Sequence, residues 1–200
     1  GDDIALKILK DVGEELKIAT TTDIHSVNEV EKAAKCVDII QIPAFLCRQS
    51  ELIQAAAKTG KHVNIKKGQF LSAQSMQFAV EKIKDSGNTN IILTERGTMF
   101  GYNDLVVDYR SIPIMKSYGY PVVLDVTHSL QEPNNLSGLT GGKPKLIETI
   151  AKAGVAIGID GIFLETHFSP NDSKSDSKNM LDLKSLEDLL IKLLRIRKSI

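Results

Sequence analysis

The sequence is poor in cysteine, has no net charge and contains no long apolar run. Cys36 and Cys47 are the two cysteines among 200 residues. They lie too far apart for a CxxC motif and are too few for a disulfide scaffold, a usage that fits a reducing cytoplasm. The 25 Lys plus Arg balance the 25 Asp plus Glu. That balance removes the broad basic field by which proteins hold nucleic acid through its phosphates. No apolar stretch approaches the roughly 18 residues that a bilayer span requires, and Gly1-Asp2-Asp3 is not the basic start of a signal peptide. The expectation is a soluble protein with neither nucleic acid nor membrane as a partner. Hydrophobic residues make up 42% and charged residues 25% of the chain, a globular mix that excludes wholesale disorder.

What is present is alternation. Short β-rich runs recur at Leu16 to Thr21, Val37 to Pro43, His62 to Lys67, Asn90 to Glu95, Pro121 to Thr127 and Gly161 to Thr166. Between them, apolar positions spaced three and four apart predict helices at Ile4 to Leu16, Ser26 to Lys35, Glu51 to Lys58, Ala73 to Ser86, Lys145 to Ala156 and Leu183 to Arg197. Runs such as Ile91-Ile92-Leu93 are too continuously apolar for a sheet wetted on one side and suit parallel strands covered by helices. Ser26 with Glu29 reads as a capping box, Ser72 precedes another helix, and Gly60 and Gly87 fall where helices should stop. The spacing suits a (β/α)8 TIM barrel, α/β in class, with about six βα units present. An eight-unit barrel takes about 250 residues, so the 200 residues read as one domain, 1–200, whose N-terminal βα units are missing. An open doubly wound sheet satisfies the same periodicity.

In a βα barrel the site forms at the carboxyl ends of the strands. Those ends are Thr21-Thr22-Asp23-Ile24-His25, Gln41-Ile42-Pro43-Ala44, Asn64-Ile65-Lys66-Lys67-Gly68, Thr94-Glu95-Arg96-Gly97, Asp125-Val126-Thr127-His128-Ser129 and Leu164-Glu165-Thr166-His167. Helix-capping alone would place Asp, Ser and Gly there, without a Lys, an Arg, a Glu and a His continuing apolar strands. Lys66 and Arg96 end successive strands and suit a multiply charged anion such as a phosphate or phosphoenolpyruvate. The bland alternative pairs Lys66 with Glu95. Strand alternation puts Asn64 and Lys66 on one face and Lys67 on the other. His128, Glu165 and Asp176 offer a nitrogen and two oxygens, a set compatible with zinc, iron or manganese. His167, two residues beyond Glu165, is a fourth ligand or an outer partner. His25 and His62 carry no functional reading.

The Gly-rich segment 138–144 is not a phosphate-binding P-loop, because Pro144 follows the lysine and Ser137 stands where the first glycine should be. Residues 131 to 142 read instead as a mobile loop over the rim, with Pro144 starting the next helix. Cys47 reads as a packed thiol rather than a nucleophile. The basic Arg195-Ile196-Arg197-Lys198 run complements the negative end of its helix.

Gln41-Ile42-Pro43-Ala44-Phe45-Leu46-Cys47-Arg48-Gln49, Lys66-Lys67-Gly68-Gln69-Phe70, Thr94-Glu95-Arg96-Gly97 followed by Phe100-Gly101-Tyr102-Asn103, and the strings around Asp23, His128 and Glu165 closely resemble one family. That family is 3-deoxy-D-manno-octulosonate 8-phosphate synthase (2-dehydro-3-deoxyphosphooctonate aldolase). The resemblance implies a cytoplasmic barrel homotetramer that condenses phosphoenolpyruvate with arabinose 5-phosphate, releasing phosphate, for lipopolysaccharide biosynthesis. It implies that Lys66, Arg96 and the Ala44 backbone bind phosphoenolpyruvate near Gln41. Phe45 walls the site, Arg48 reaches the sugar phosphate of a neighbouring subunit, and Asp23 lines the same cavity. Lys66, His128 and Asp23 then take catalytic roles. His128, Glu165 and Asp176 are metal ligands in the metal-dependent branch, and no metal is needed in the other. The family's first two strands, with their Cys or Asn, are not matched by any segment here. Three rivals remain: a sister synthase using erythrose 4-phosphate, a Schiff-base enzyme with Lys66 as nucleophile, and a non-catalytic truncated barrel that binds anions.

Overall fold

A computed structural model describes residues 1–99, 104–133 and 140–200. The Phe100-Gly101-Tyr102-Asn103 motif and residues 134–139 of the expected rim loop lie outside the described residues. The chain forms two compact units, one of residues Gly1–Gly68 with Ser75–Leu93 and one of Gln69–Gln74 with Thr94–Ile200.

The first unit opens on α1 (Asp2–Leu16). Leu16, expected to begin a strand, instead ends this helix, because it continues the four-residue apolar spacing of Ile8 and Val12. Lys17 closes the helix in the left-handed conformation with φ 56°, so β1 starts only at Thr21 and runs Thr21–Asp23. Then come α2 (Val27–Ala34), β2 (Ile39–Ile42), α3 (Ser50–Lys58), β3 (His62–Lys66), α4 (Met76–Asp85) and β4 (Ile91–Glu95), which leaves this unit after Leu93. β1, β2 and β3 pair in parallel, with Asp23 opposite Gln41 and Gln41 opposite Asn64. Ile40, Ile42, Val63 and Ile65 of these strands, Leu52, Ile53 and Ala56 of α3, and Met76, Val80 and Ile83 of α4 are all buried. Strands apolar on both faces are what parallel pairing under helices demands. Gly60 and Gly87 take φ of 73° and 86° just past α3 and α4, as helix-stopping glycines should.

Two helix starts differ from expectation. Ser26 caps α2 without a side-chain bond to its backbone; its hydroxyl donates to Glu29 Oε1 (2.8 Å), and Glu29 Oε2 accepts from the His25 N–H (2.8 Å). The carboxylate therefore serves the residue before the cap. α4 begins at Met76 behind Ser75, not behind Ser72.

The second unit adds β5 (Thr98–Met99), β6 (Leu105–Val106), the short α5 (Ser111–Lys116), β7 (Val122–Asp125), β8 (Gln131–Glu132), β9 (Gly141–Gly142), α6 (Ile147–Ala156), β10 (Gly161–Phe163), β11 (Thr166–His167), β12 (Leu181–Asp182) and α7 (Leu186–Arg197). β7 and β10 run parallel, with Phe163 opposite Asp125. α6 packs on α7 and α5 on β7. The described ends of the rim loop pair as the antiparallel ribbon β8–β9. Pro144 opens a 3-10 turn, Pro144–Leu146, that leads into α6. At the chain's basic end Arg197 Nη1 donates to the Ile159 carbonyl at 3.3 Å, so one of those cations is a tether as well as a dipole partner.

Candidate functional site

In the second unit the chemistry gathers where β4, β7 and β10 end. Glu95, 1% exposed, is the last residue of β4. Its Oε1 accepts from the N–H groups of Arg96 (3.0 Å) and Gly97 (2.7 Å), and its Oε2 accepts from the Ser111 hydroxyl (2.6 Å). This buried carboxylate shapes the turn that carries Arg96, and Gly97 takes the φ of 90° the turn needs. Arg96 is 6% exposed. Its Nη2 donates to Gln131 Oε1 at 2.5 Å, while its buried Nη1 has no hydrogen-bond partner. Burial pulls the guanidinium below its ordinary pKa, and Asp125, Glu95 and Asp176 push it back up. Guanidinium does not lose its proton in proteins. A buried cation with an unspent donor is therefore a place for an anion.

β7 ends at the fully buried Asp125. Its Oδ1 accepts from Thr127 N (3.1 Å), Thr127 Oγ1 (3.1 Å) and His128 N (2.8 Å), and its Oδ2 lies 2.8 Å from His128 Nδ1. An ionised carboxylate only accepts, so Nδ1 carries the imidazole proton and Nε2 is left with a lone pair. Nε2 is 3.3 Å from Glu165 Oε1. Two acceptors at that distance call for a cation or a shared proton between them. Asp176 joins from the segment after β11, at φ 48°, and its Oδ1 accepts from Gln131 Nε2 at 2.7 Å. One ligand atom each from His128, Glu165 and Asp176 lies within 4.8 Å of the others. Glu165 Oε2 is buried without a partner. The imidazole nitrogen, the two carboxylates and the orphaned oxygen fit a divalent metal ion, with Asp125 as the outer carboxylate that orients the histidine.

In the first unit a second polar array follows from strand register. Gln41 Nε2 donates to Asp23 Oδ1 (2.5 Å), and Asn64 Nδ2 donates to Gln41 Oε1 (2.8 Å). Each of the three residues lies directly opposite the next across parallel strands, so their side chains share one face. Lys66 ends β3 at 6% exposure, and Lys67 is more buried still at 1%. The alternation that separates their faces does not put Lys67 outside, because β3 is buried on both sides. The buried Ala44 opens a 3-10 turn, Ala44–Leu46. Phe45 is 63% exposed, its ring 6.3 Å from that of His25, and Arg48 is exposed. Cys47 is buried, and burial pushes its thiol pKa up, in keeping with a packed thiol.

His167 stands apart. β10 ends at Phe163, and residues 166–167 leave it to pair with β12, so Glu165 and His167 do not share a strand face. His167 Nδ1 instead faces the Ser169 backbone, 2.8 Å from its carbonyl oxygen and 3.0 Å from its nitrogen, and its ring stacks on Phe168 at 4.3 Å. Sequence reasoning missed three residues of the second-unit network. Asp125 is legible as an Asp three before a His at a strand end. Glu95 is legible as a carboxylate at a strand end but not as the acceptor that shapes the Arg96 turn, and Gln131 carries no local signal, because its two partners are far away in sequence.

A βα chain with a buried arginine beside a histidine-carboxylate trio is an enzyme of anionic substrates in class. The chain belongs to the DAHP synthetase I family, which matches residues 1–200. It is 54% identical over 193 residues to the 2-dehydro-3-deoxyphosphooctonate aldolase of Trichlorobacter lovleyi, covering 96% of this chain and 71% of the relative. The protein of that name from Koribacter versatilis is 49% identical over 198 residues, 98% of this chain and 71% of the relative. The one from Geotalea uraniireducens is 53% identical over 188 residues, 94% and 69%. The family expected from the QIPAFLCRQ and KKGQF strings is the one found.

Proposed function

We propose that this chain carries the activity for which these relatives are named, written in the synthetic direction. Phosphoenolpyruvate, arabinose 5-phosphate and water give 3-deoxy-D-manno-octulosonate 8-phosphate and inorganic phosphate. The observation that carries the reading is Arg96, a buried permanent cation with one N–H unspent, in a network with the His128, Glu165 and Asp176 trio. Arg96 neutralises the phosphoenolpyruvate anion, and by resemblance Lys66 supplies a further cation. C3 of the enol phosphate bonds to the aldehyde carbon as the carbonyl π bond opens, a water oxygen bonds to C2, and the C2–O bond to phosphate breaks; of the two water protons one ends on the former aldehyde oxygen, now a hydroxyl, and one on the departing phosphate, leaving C2 as the ketone. Cations positioned beforehand stabilise the charge that develops. With no ion held, His128, fixed by Asp125, orients that water from Nε2. His128, Glu165 and Asp176 would hold a divalent ion such as zinc, iron or manganese, which when bound polarises an oxygen of the substrate or water. Gln41, Ala44, Phe45, Arg48 and Asp23 keep the substrate-side roles that the resemblance implies. The same reading makes the protein a (β/α)8 barrel homotetramer of the cytoplasm, serving lipopolysaccharide biosynthesis. Among the described residues no helix is long and apolar enough to cross a membrane.

The test is phosphoenolpyruvate binding and turnover in Arg96→Ala, Arg96→Lys and Lys66→Ala. Truncating a buried charge that holds an opposite charge costs about 2 to 5 kcal/mol, so affinity should fall by at least about thirtyfold. Arg96→Lys keeps the charge and loses the planar fork, and should recover part of it. Unchanged affinity and full activity in folded Arg96→Ala and Lys66→Ala would overturn the assignment.

A further inference from the structure

Gln131 touches both halves of the second-unit site. Its Oε1 accepts from Arg96 Nη2 at 2.5 Å, and its Nε2 donates to Asp176 Oδ1 at 2.7 Å. Arginine can only donate and an ionised aspartate can only accept, so joining them through one side chain takes an acceptor and a donor on a single planar group. A primary amide has both. Glutamate lacks the donor and lysine the acceptor. The two partners also set which way round the amide lies.

A second tie runs through the backbone. Gln131 lies opposite Gly142 in the β8–β9 ribbon. The buried Asn179 packs so closely on Gly142 that a Cβ there would sit 1.8 Å from Asn179 Oδ1. Asn179 Nδ2 donates to the Gly141 carbonyl (3.1 Å), and Asn179 N–H donates to the Asp176 carbonyl (2.8 Å). Asn179 therefore ties the ribbon that carries Gln131 to the turn that carries Asp176.

We propose that Gln131 is a positioning residue that couples the anion-binding Arg96 to Asp176, so that a change at either is felt at the other. This rests on the reading of Arg96 as the phosphoenolpyruvate anchor. Arg96 and Asp176 make no direct hydrogen bond to each other, and beyond their through-space attraction the Gln131 amide joins them. Coupling through it makes phosphoenolpyruvate affinity depend on the state of Asp176.

The experiment is a double-mutant cycle read by calorimetric titration of phosphoenolpyruvate. Asp176→Asn should shift the dissociation constant by about threefold or more when Gln131 is present, as members of one hydrogen-bond network do. In the Gln131→Met background the same substitution should shift it by less than half as much on a logarithmic scale. Gln131→Glu places a carboxylate between Arg96 and Asp176, so it should weaken phosphoenolpyruvate binding by engaging the Arg96 charge and should not restore the coupling. An equal Asp176→Asn shift in both backgrounds, or no shift in either, would overturn the proposal, since a merely structural Gln131 leaves the cycle additive. Failure of the unmodified, folded protein to bind phosphoenolpyruvate would overturn the reading of Arg96 itself.

Discussion

Asp125 shows how one side chain sets the chemistry of another. Its carboxylate collects the N–H of Thr127, the hydroxyl of Thr127, the N–H of His128 and His128 Nδ1, which fixes both the turn and the imidazole. Asp125→Asn is nearly isosteric but can turn an amide donor toward Nδ1, favouring the opposite tautomer. Outer partners of this type are worth about 10- to 100-fold in activity. We expect kcat to fall by about that factor while phosphoenolpyruvate affinity and the circular dichroism spectrum are retained; steady-state kinetics would contradict the role if kcat were unchanged. At this scale the sequence was informative wherever a polar residue ended an apolar strand, as at Arg96, His128 and Glu165. It was silent on Gln131, because pairing with Arg96 and Asp176 depends on segments 35 and 45 residues away.

Among the elements, α6 and α7 are joined at the surface by Glu148. Its carboxylate lies 2.5 Å from Lys152 on its own helix and 2.9 Å from Lys192 on α7, and those lysines lower its pKa to about 2. A folded pKa below the unfolded value near 4.5 means that stabilisation is fully present above the unfolded value. It is lost as pH falls through the folded one. The stability difference between the native protein and Glu148→Gln should therefore be constant near neutrality, shrink below about pH 4.5, and weaken with added salt because the group is exposed. Denaturation curves across that range check it, and a difference that grew on acidification would refute it. Six of the seven α-helices among the described residues were readable from apolar spacing, with edges within three residues of those expected; α5 (Ser111–Lys116), only 6 residues long, was not, because so short a helix holds too few apolar positions to set a period. The misplaced edges share a cause: Leu16 satisfies a helix pattern and a β-rich run equally. At β10 the chain leaves the strand because residues 166–167 find a second partner in β12.

For the molecule as a whole, zero net charge leaves substrate capture to local cations. The remaining choice lies between sugar phosphates. Arabinose 5-phosphate should drive phosphate release from phosphoenolpyruvate at least about tenfold faster than erythrose 4-phosphate, a margin of about 1.4 kcal/mol. A preference for the shorter sugar would move the protein to its sister activity. Borohydride with substrate should leave the protein unmodified, since the reaction written above passes through no lysine adduct.

Composition, apolar periodicity and the strings at the strand ends sufficed for the α/β class, the family and most of the candidate site. These are local properties, carried by neighbours in the chain. Folding alone decided that Asp125 orients His128, that Glu95 shapes the Arg96 turn, that His167 turns away, and that one glutamine amide joins Arg96 to Asp176. Those outcomes depend on which distant donors and acceptors meet in a dry interior, where each must find a partner of opposite polarity.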